Sequence, residues 1–228
     1  WIPCLLSRGM AMAQRRCSTI GISYLEVDIR LNSLMAKEII KNLSEVEGNM
    51  TNLKEFARYG VKLVALAQDD IEMVRQWRND PKIANLMLDK TYITSEMQLC
   101  WFDRLQHATD QFYYLVWFKN QPIGVASLIK VNRDAGCCEP GMYIYVDEYR
   151  NNIVPFCVAF ALNDLAFEEL GVSQLFGKIF ANNQPSVRFH EACGYRHYET
   201  QEDGLGLYML EPEPYLAARA HIARFIRY

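Results

Sequence analysis

Four groups of side chains in this sequence could do chemistry. Glu139 stands in Cys137-Cys-Glu-Pro-Gly-Met-Tyr-Ile-Tyr145. Among apolar strand residues its carboxyl would be desolvated, which raises its proton affinity and suits a base working near neutrality. The same position also suits a carboxylate paired structurally at a sheet bulge. His190 lies in a short helical segment, where an imidazolium can protonate and an imidazole can accept a proton, or the ring can simply pack. Arg150-Asn-Asn-Ile-Val-Pro155 precedes an apolar helix, and the free N–H groups and dipole of a helix start favour anions. Arg78 and Asn79, ending an earlier helix, could bind a diphosphate or sugar hydroxyls, with Trp77, Trp101 and Phe102 as an apolar wall. The competing reading makes Trp77 core and Arg78 the partner of a structural carboxylate.

The elements that must position these groups alternate in type. Val61–Leu66 reads as a strand. Asp69 can cap a helix through Arg78, with Ile71, Val74 and Trp77 at helical spacing, and Asn79-Asp-Pro81 breaks it. A second helix runs from about Ser95 to His107, started by Thr94 or Ser95. Phe112–Phe118, Ile123–Val131 and Cys137–Val146 form an antiparallel meander with turns at Lys119–Pro122 and Asn132–Gly136. Gly124 marks a close approach or a bulge. Pro155–Leu170 is an apolar helix ended by Gly171, and Ser173–Ala181 is a strand. Asn182 or Asn183 caps a helix over Pro185–Cys193, and Gly194 suits its left-handed end. Tyr195–Thr200 and Leu205–Leu210 make a last hairpin around Asp203-Gly204.

The 228 residues are half apolar and 22% charged, the profile of a soluble globular domain with an appendage. A net charge of −3 gives no general attraction for nucleic acid or anionic membrane. Seven cysteines without a C-x-x-C pair point to neither a disulfide framework nor a metal site, and Cys137 and Cys138 read as core and surface thiols. No apolar run reaches the ~20 residues that span a bilayer. The cytoplasm is the simplest compartment.

Residues 1–59 read as an N-terminal extension outside the native domain. Trp1–Leu6 is too short for a signal peptide, and Met50 is a candidate start. Ser33–Leu43 has helical periodicity, and its Ser33 suits an amphipathic helix better than a carrier-protein phosphopantetheine site. Residues 212–228 read as a tail with a helix over Tyr215–Phe225, whose Arg219, Arg224 and Arg227 form a solvated face.

The order β-α-α-β-β-β-α-β-α-β-β over residues 60–211, with the block Asn182–Tyr195, resembles the GCN5-related N-acetyltransferases (GNATs), an α/β (α+β) fold with a mixed, mostly antiparallel sheet. The resemblance implies acetyl-coenzyme A as co-substrate and no metal. It implies that Ile144, Tyr145 and Val146 align the pantetheine arm by their backbone. Arg150, Asn151, Asn152, Ile153 and Val154 would hold the pyrophosphate, and Asn183 would contact the coenzyme. The loop departs from the family pattern, because Ile153 and Pro155 occupy its glycine positions. Glu139 falls where members carry a base, and His190 where many carry a tyrosine acid. Trp77-Arg78-Asn79, Ile93–Phe102 and Cys138-Glu-Pro-Gly141 resemble a branch that acetylates the 4-amino group of a UDP-linked dideoxy sugar in pseudaminic acid biosynthesis. A ribosomal-protein N-terminal acetyltransferase is the runner-up, and a non-catalytic GNAT-like binding domain the alternative from another class. The implied partner is a small-molecule amine, a nucleotide sugar, with no nucleic acid or membrane; a homodimer is allowed for.

Overall fold

The computed structural model describes residues 53–227. The readings of Ser33–Leu43, of Ser33 and of a start at Met50 lie outside the described residues. Eight strands form one sheet: β1 (Glu55–Arg58), β2 (Val61–Ala65), β3 (Phe112–Phe118), β4 (Gln121–Asn132), β5 (Cys137–Ile144), β6 (Gln174–Phe180), β7 (Arg196–Thr200) and β8 (Leu205–Leu210), in the order β1-β2-β3-β4-β5-β6-β8-β7. The helices are α1 (Ile71–Asn79), α2 (Pro81–Ala84), α3 (Ser95–His107), α4 (Val154–Asp164), α5 (Gln184–Ala192) and α6 (Pro212–Ala223).

The turn chemistry follows the residues. Lys119 and Asn120 both take left-handed backbone, φ 49° and 60°, as a two-residue hairpin requires. Gly124 can be nothing larger, because a Cβ there would lie 2.1 Å from the Tyr143 carbonyl oxygen. Thr94 accepts the Met97 N–H at the start of α3, Asn183 accepts the Ser186 N–H at the start of α5, and Gly194 ends α5 at φ 97°. At α1 the cap differs from expectation. Asp69 falls within a short 3-10 turn, Gln68–Asp70, and Asp70 accepts the Ala67 N–H instead.

Two apolar clusters flank the sheet. On one face Ile71, Val74 and Trp77 of α1 and Phe102 of α3 pack on Leu115 and Val125. On the other, α4 contributes nine buried residues, Val154 and the unbroken run from Cys157 through Asp164. Its last turn widens through Leu165–Glu169, where the Leu170 N–H reaches back to Leu165.

The C-terminal helix is part of this packing. Tyr215 is 2% exposed, and its hydroxyl donates to Asp164 at 2.5 Å and lies 3.0 Å from the Phe160 carbonyl oxygen. Arg219 pairs with the fully buried Asp164 at 2.5 Å, so it leaves the solvated face expected of it; Arg224 and Arg227 are exposed.

One irregularity positions the site. β5 and β6 are parallel neighbours but pair only at Cys137↔Gln174 and Cys138↔Leu175, although both strands continue. The Tyr145 N–H donates to the Ile123 carbonyl on the β4 side. Alternation along the strand therefore turns the even-numbered residues of β5 toward β6. The next even residue is Pro140, which has no N–H to continue the ladder. From there the sheet opens.

Candidate functional site

Two cavities meet at this opening. The first, about 790 Å³, lies on the α1–α3 face and is lined by Arg78, Glu96, Trp101, Tyr113 and Val125 among others. The second, about 620 Å³, lies between the parted strands under α4 and α5, with Ile144, Arg150, Asn163, Asn183 and His190 on its wall. Gly141, Met142, Tyr143 and Met87 line both. Because side chains alternate across a strand, Tyr143 packs with the α1–α3 cluster and Met142 with the α4 cluster. A molecule in either cavity therefore reaches the same short stretch of β5.

On the second cavity's side, the pleat that sends the Tyr145 N–H to Ile123 turns the Met142 and Ile144 N–H groups into the opening. The Val146 N–H also goes to Ile123, at 3.3 Å. Of the three backbone positions expected to align a ligand arm, only Ile144 faces the cavity; Tyr145 and Val146 are taken by β4, and Met142 joins instead. The Tyr145 ring stacks on Trp77 at 4.8 Å, and its hydroxyl reaches Asp80 at 3.1 Å, so it ties α1 to β5.

The loop Arg150–Val154 closes one end. Arg150 and Asn151 line the cavity, while Asn152 works internally, accepting the Val154 N–H at 2.9 Å and donating to the Glu148 carbonyl at 3.0 Å. Val154 is thereby occupied as a donor. No residue between 150 and 155 has positive φ, and Ile153 sits at φ −74°. The missing glycines thus leave no strain in this conformation, and Pro155 occupies the first turn of α4, where its absent N–H costs little. Asp147 is shared between Arg150 at 3.1 Å and Lys82 at 3.4 Å, and these cations hold its carboxyl below the usual carboxylate range, Arg150 most strongly.

His190 is half-buried and lines the same cavity beside Gly177, its ring edge-on to Tyr195 at 5.1 Å. Its Nδ1 lies 2.8 Å from the Ser186 carbonyl, which can only accept, so Nδ1 carries a proton and Nε2 is left as the second site. Desolvation lowers the pKa of the ring against the opposing pull of Ser186. Neutral His190 therefore offers a lone pair at Nε2, an acceptor where a standing acid was expected.

Glu139 lines neither cavity. Lys130 Nζ binds its two oxygens at 2.8 and 3.0 Å and Lys178 approaches at 3.4 Å. The apolar surroundings expected of it are absent, and the ion-paired reading fits its neighbours. Lys130 holds its pose with φ 52° at the bulge in β4.

In the first cavity the sequence-based residues separate. Arg78 lines it, donating to the Asp89 carbonyl. Asn79 does not, because its amide donates to the Ile93 carbonyl at 2.8 Å and accepts the Ile93 N–H at 2.8 Å, clamping the segment before α3. Trp77 and Phe102 are 9% and 6% exposed core residues, which leaves Trp101 as the indole wall.

The sequence pointed to no ligand contact for Met142, Tyr143 or Asn163. Tyr143 was legible as one of the alternate residues of β5; its hydroxyl is buried with no hydrogen-bond partner among the described residues, and burial pushes its pKa well up. Asn163 was the lone amide in an apolar helix, a signal that could have been read.

An acetyltransferase (GNAT) domain model matches residues 61–196. Acetyltransferase PseH of Campylobacter jejuni subsp. jejuni serotype O:23/36 (strain 81-176) is 26% identical over 160 residues, covering 68% of this chain and 90% of that protein. The spermidine N-acetyltransferase of Vibrio cholerae in complex with CoA and spermine superposes with TM-score 0.65 at 16% identity, over 70% of this chain and 99% of that one. The Campylobacter jejuni N-acetyltransferase PseH in complex with acetyl coenzyme A does so with TM-score 0.53 at 20% identity, over 67% and 99%. With the domain model spanning the opened sheet and both cavities, this chain belongs to the GNAT acetyltransferase family and is an acyltransferase.

Proposed function

We propose that this chain transfers an acetyl group from acetyl-coenzyme A to a primary amine, the 4-amino group of a UDP-linked amino-dideoxy sugar. The observation that carries the reading is the pair of cavities meeting across β5 at Gly141–Tyr143, where a thioester and an amine would come face to face. The coenzyme goes to the second cavity. Its pantetheine arm takes the place of the missing strand pairing, against the N–H groups of Met142 and Ile144. Arg150 with the N–H groups of Asn151, Asn152 and Ile153 serves the pyrophosphate at the start of α4, and Asn183 flanks it. The acceptor goes to the first cavity, with Arg78 toward the diphosphate and Trp101 with the neighbouring methionines against the uracil or the deoxy methyl. Similarity to acetyltransferase PseH supports the sugar-amine branch, as do the motifs around Trp77 and Cys138. The enzyme is read as cytoplasmic, with no nucleic-acid or membrane partner; among the described residues no helix is long and apolar enough to cross a membrane.

The amine nitrogen attacks the thioester carbonyl, the C–S bond breaks, and one N–H proton must travel from nitrogen to sulfur. Neutral His190 suits that relay, because Nε2 accepts the proton and the imidazolium so formed returns it to the thiolate. Glu139 braces the base of the opening through Lys130 and Lys178.

Acetyl transfer assayed side by side with a UDP-linked 4-amino-dideoxy sugar and with a peptide bearing a free N-terminus tests the acceptor. Turnover of the sugar, with one thiol released per acetyl transferred, is expected. Arg78→Ala should raise KM for the sugar about tenfold and leave KM for acetyl-coenzyme A unchanged. Turnover of the peptide alone would reassign the acceptor, and turnover of neither would favour a binding domain.

A further inference from the structure

The floor of the second cavity is made by one face of α4. Pro155, Ala159, Leu162 and Asn163 line it at helical spacing, and only Asn163 is polar. It is 2% exposed, and its Nδ2 has no hydrogen-bond partner among the described residues. A buried amide donor without an acceptor is costly, and native structures seldom keep one without a reason. The neighbouring aspartate differs in every respect, since Asp164 is bound by Arg58, Tyr59, Tyr215 and Arg219. His190, Cys193 and Tyr195 line the same cavity. Neutral His190 supplies an acceptor, so the cavity brings together one amide donor and one ring acceptor.

We propose that Asn163 is a coenzyme-binding residue whose Nδ2 donates a hydrogen bond to a carbonyl oxygen of the acylated pantetheine arm. A donor held unpaired in an otherwise apolar floor recognises a group that accepts and does not donate, and the arm carries such carbonyls at its amides and its thioester. The inference rests on the reading of the second cavity as the acetyl-coenzyme A site. It extends that reading from the strand edge of β5 to the helix facing it.

Calorimetric titration and thermal melting of wild type, Asn163→Leu and Asn163→Ala separate the two. Acetyl-coenzyme A, coenzyme A and adenosine 3′,5′-bisphosphate, which lacks the arm, serve as ligands. Both variants should bind acetyl-coenzyme A about tenfold more weakly and bind the bisphosphate like wild type. Ligand-free Asn163→Leu should melt above wild type, because an unpaired donor has been removed. A loss confined to acetyl-coenzyme A assigns the thioester carbonyl, and a loss shared with coenzyme A assigns an amide carbonyl. Unchanged affinity in Asn163→Ala, or a lower melting temperature in ligand-free Asn163→Leu, overturns the inference while leaving the function intact. Failure of wild type to bind acetyl-coenzyme A overturns the functional reading itself.

Discussion

At His190 the surroundings decide which half of imidazole chemistry is available. The Ser186 carbonyl fixes the proton on Nδ1, and burial pushes the pKa below its ordinary value of 6.5. The working form is therefore the neutral ring, present above the depressed pKa and lost as pH falls through it. The acid limb of kcat/KM should lie below about 6.5, and His190→Phe should abolish that limb and lower kcat by about a hundredfold or more. The same shift sets a stability dependence. The unfolded chain takes up the proton first as pH falls from 6.5, so wild type loses stability between there and the lower folded pKa, whereas His190→Phe does not. Melting temperatures at pH 7.5 and 5.5 check the sign, and a steeper loss in the variant would contradict it. The sequence placed His190 on the helix that lines the cavity. It could not show the tautomer, which depends on the Ser186 carbonyl one turn away and on a ring packed against Tyr195. Which of its two readings suits Glu139 was hidden for a related reason: its neighbours in sequence are apolar, but Lys130 and Lys178 reach it from two other strands.

Among the elements, those with local signals were the legible ones. α3 begins and ends where Thr94 and His107 indicate, and α5 is bracketed by Asn183 and Gly194. β1 escaped notice because Glu55-Phe-Ala-Arg58 is four residues long with one buried apolar side chain. The role of α6 escaped notice because its anchor is remote, Arg219 meeting Asp164 across 55 positions of chain. Asp164 joins four partners, two tyrosine hydroxyls and two arginines, from the β1–β2 turn and from α6. Its charge pushes the Tyr59 hydroxyl, already raised by burial, up to about 12. Asp164→Asn keeps the shape and removes the charge, which should lower unfolding free energy by about 3 kcal/mol. Denaturant unfolding measures this, and a change under about 0.5 kcal/mol, typical of a surface site, would show that the network carries little.

On the scale of the whole molecule, one sheet is divided by a single failure of pairing. Element order and the apolar faces of α1 and α3 follow from periodicity, and the fold was legible through the family resemblance that this order and the Asn182–Tyr195 block carry. The opening between β5 and β6 could not, since it arises where Pro140 withholds a donor from a parallel neighbour in register 37 residues further on, beyond the two pairs at Cys137 and Cys138. That opening gives the donor and acceptor cavities their common wall, and both sides of the proposed chemistry depend on it. Calorimetric titration of the full chain with acetyl-coenzyme A tests this most directly. One site per chain with micromolar affinity is expected, weakened at least tenfold by Arg150→Ala; absence of any binding heat at millimolar ligand would contradict this.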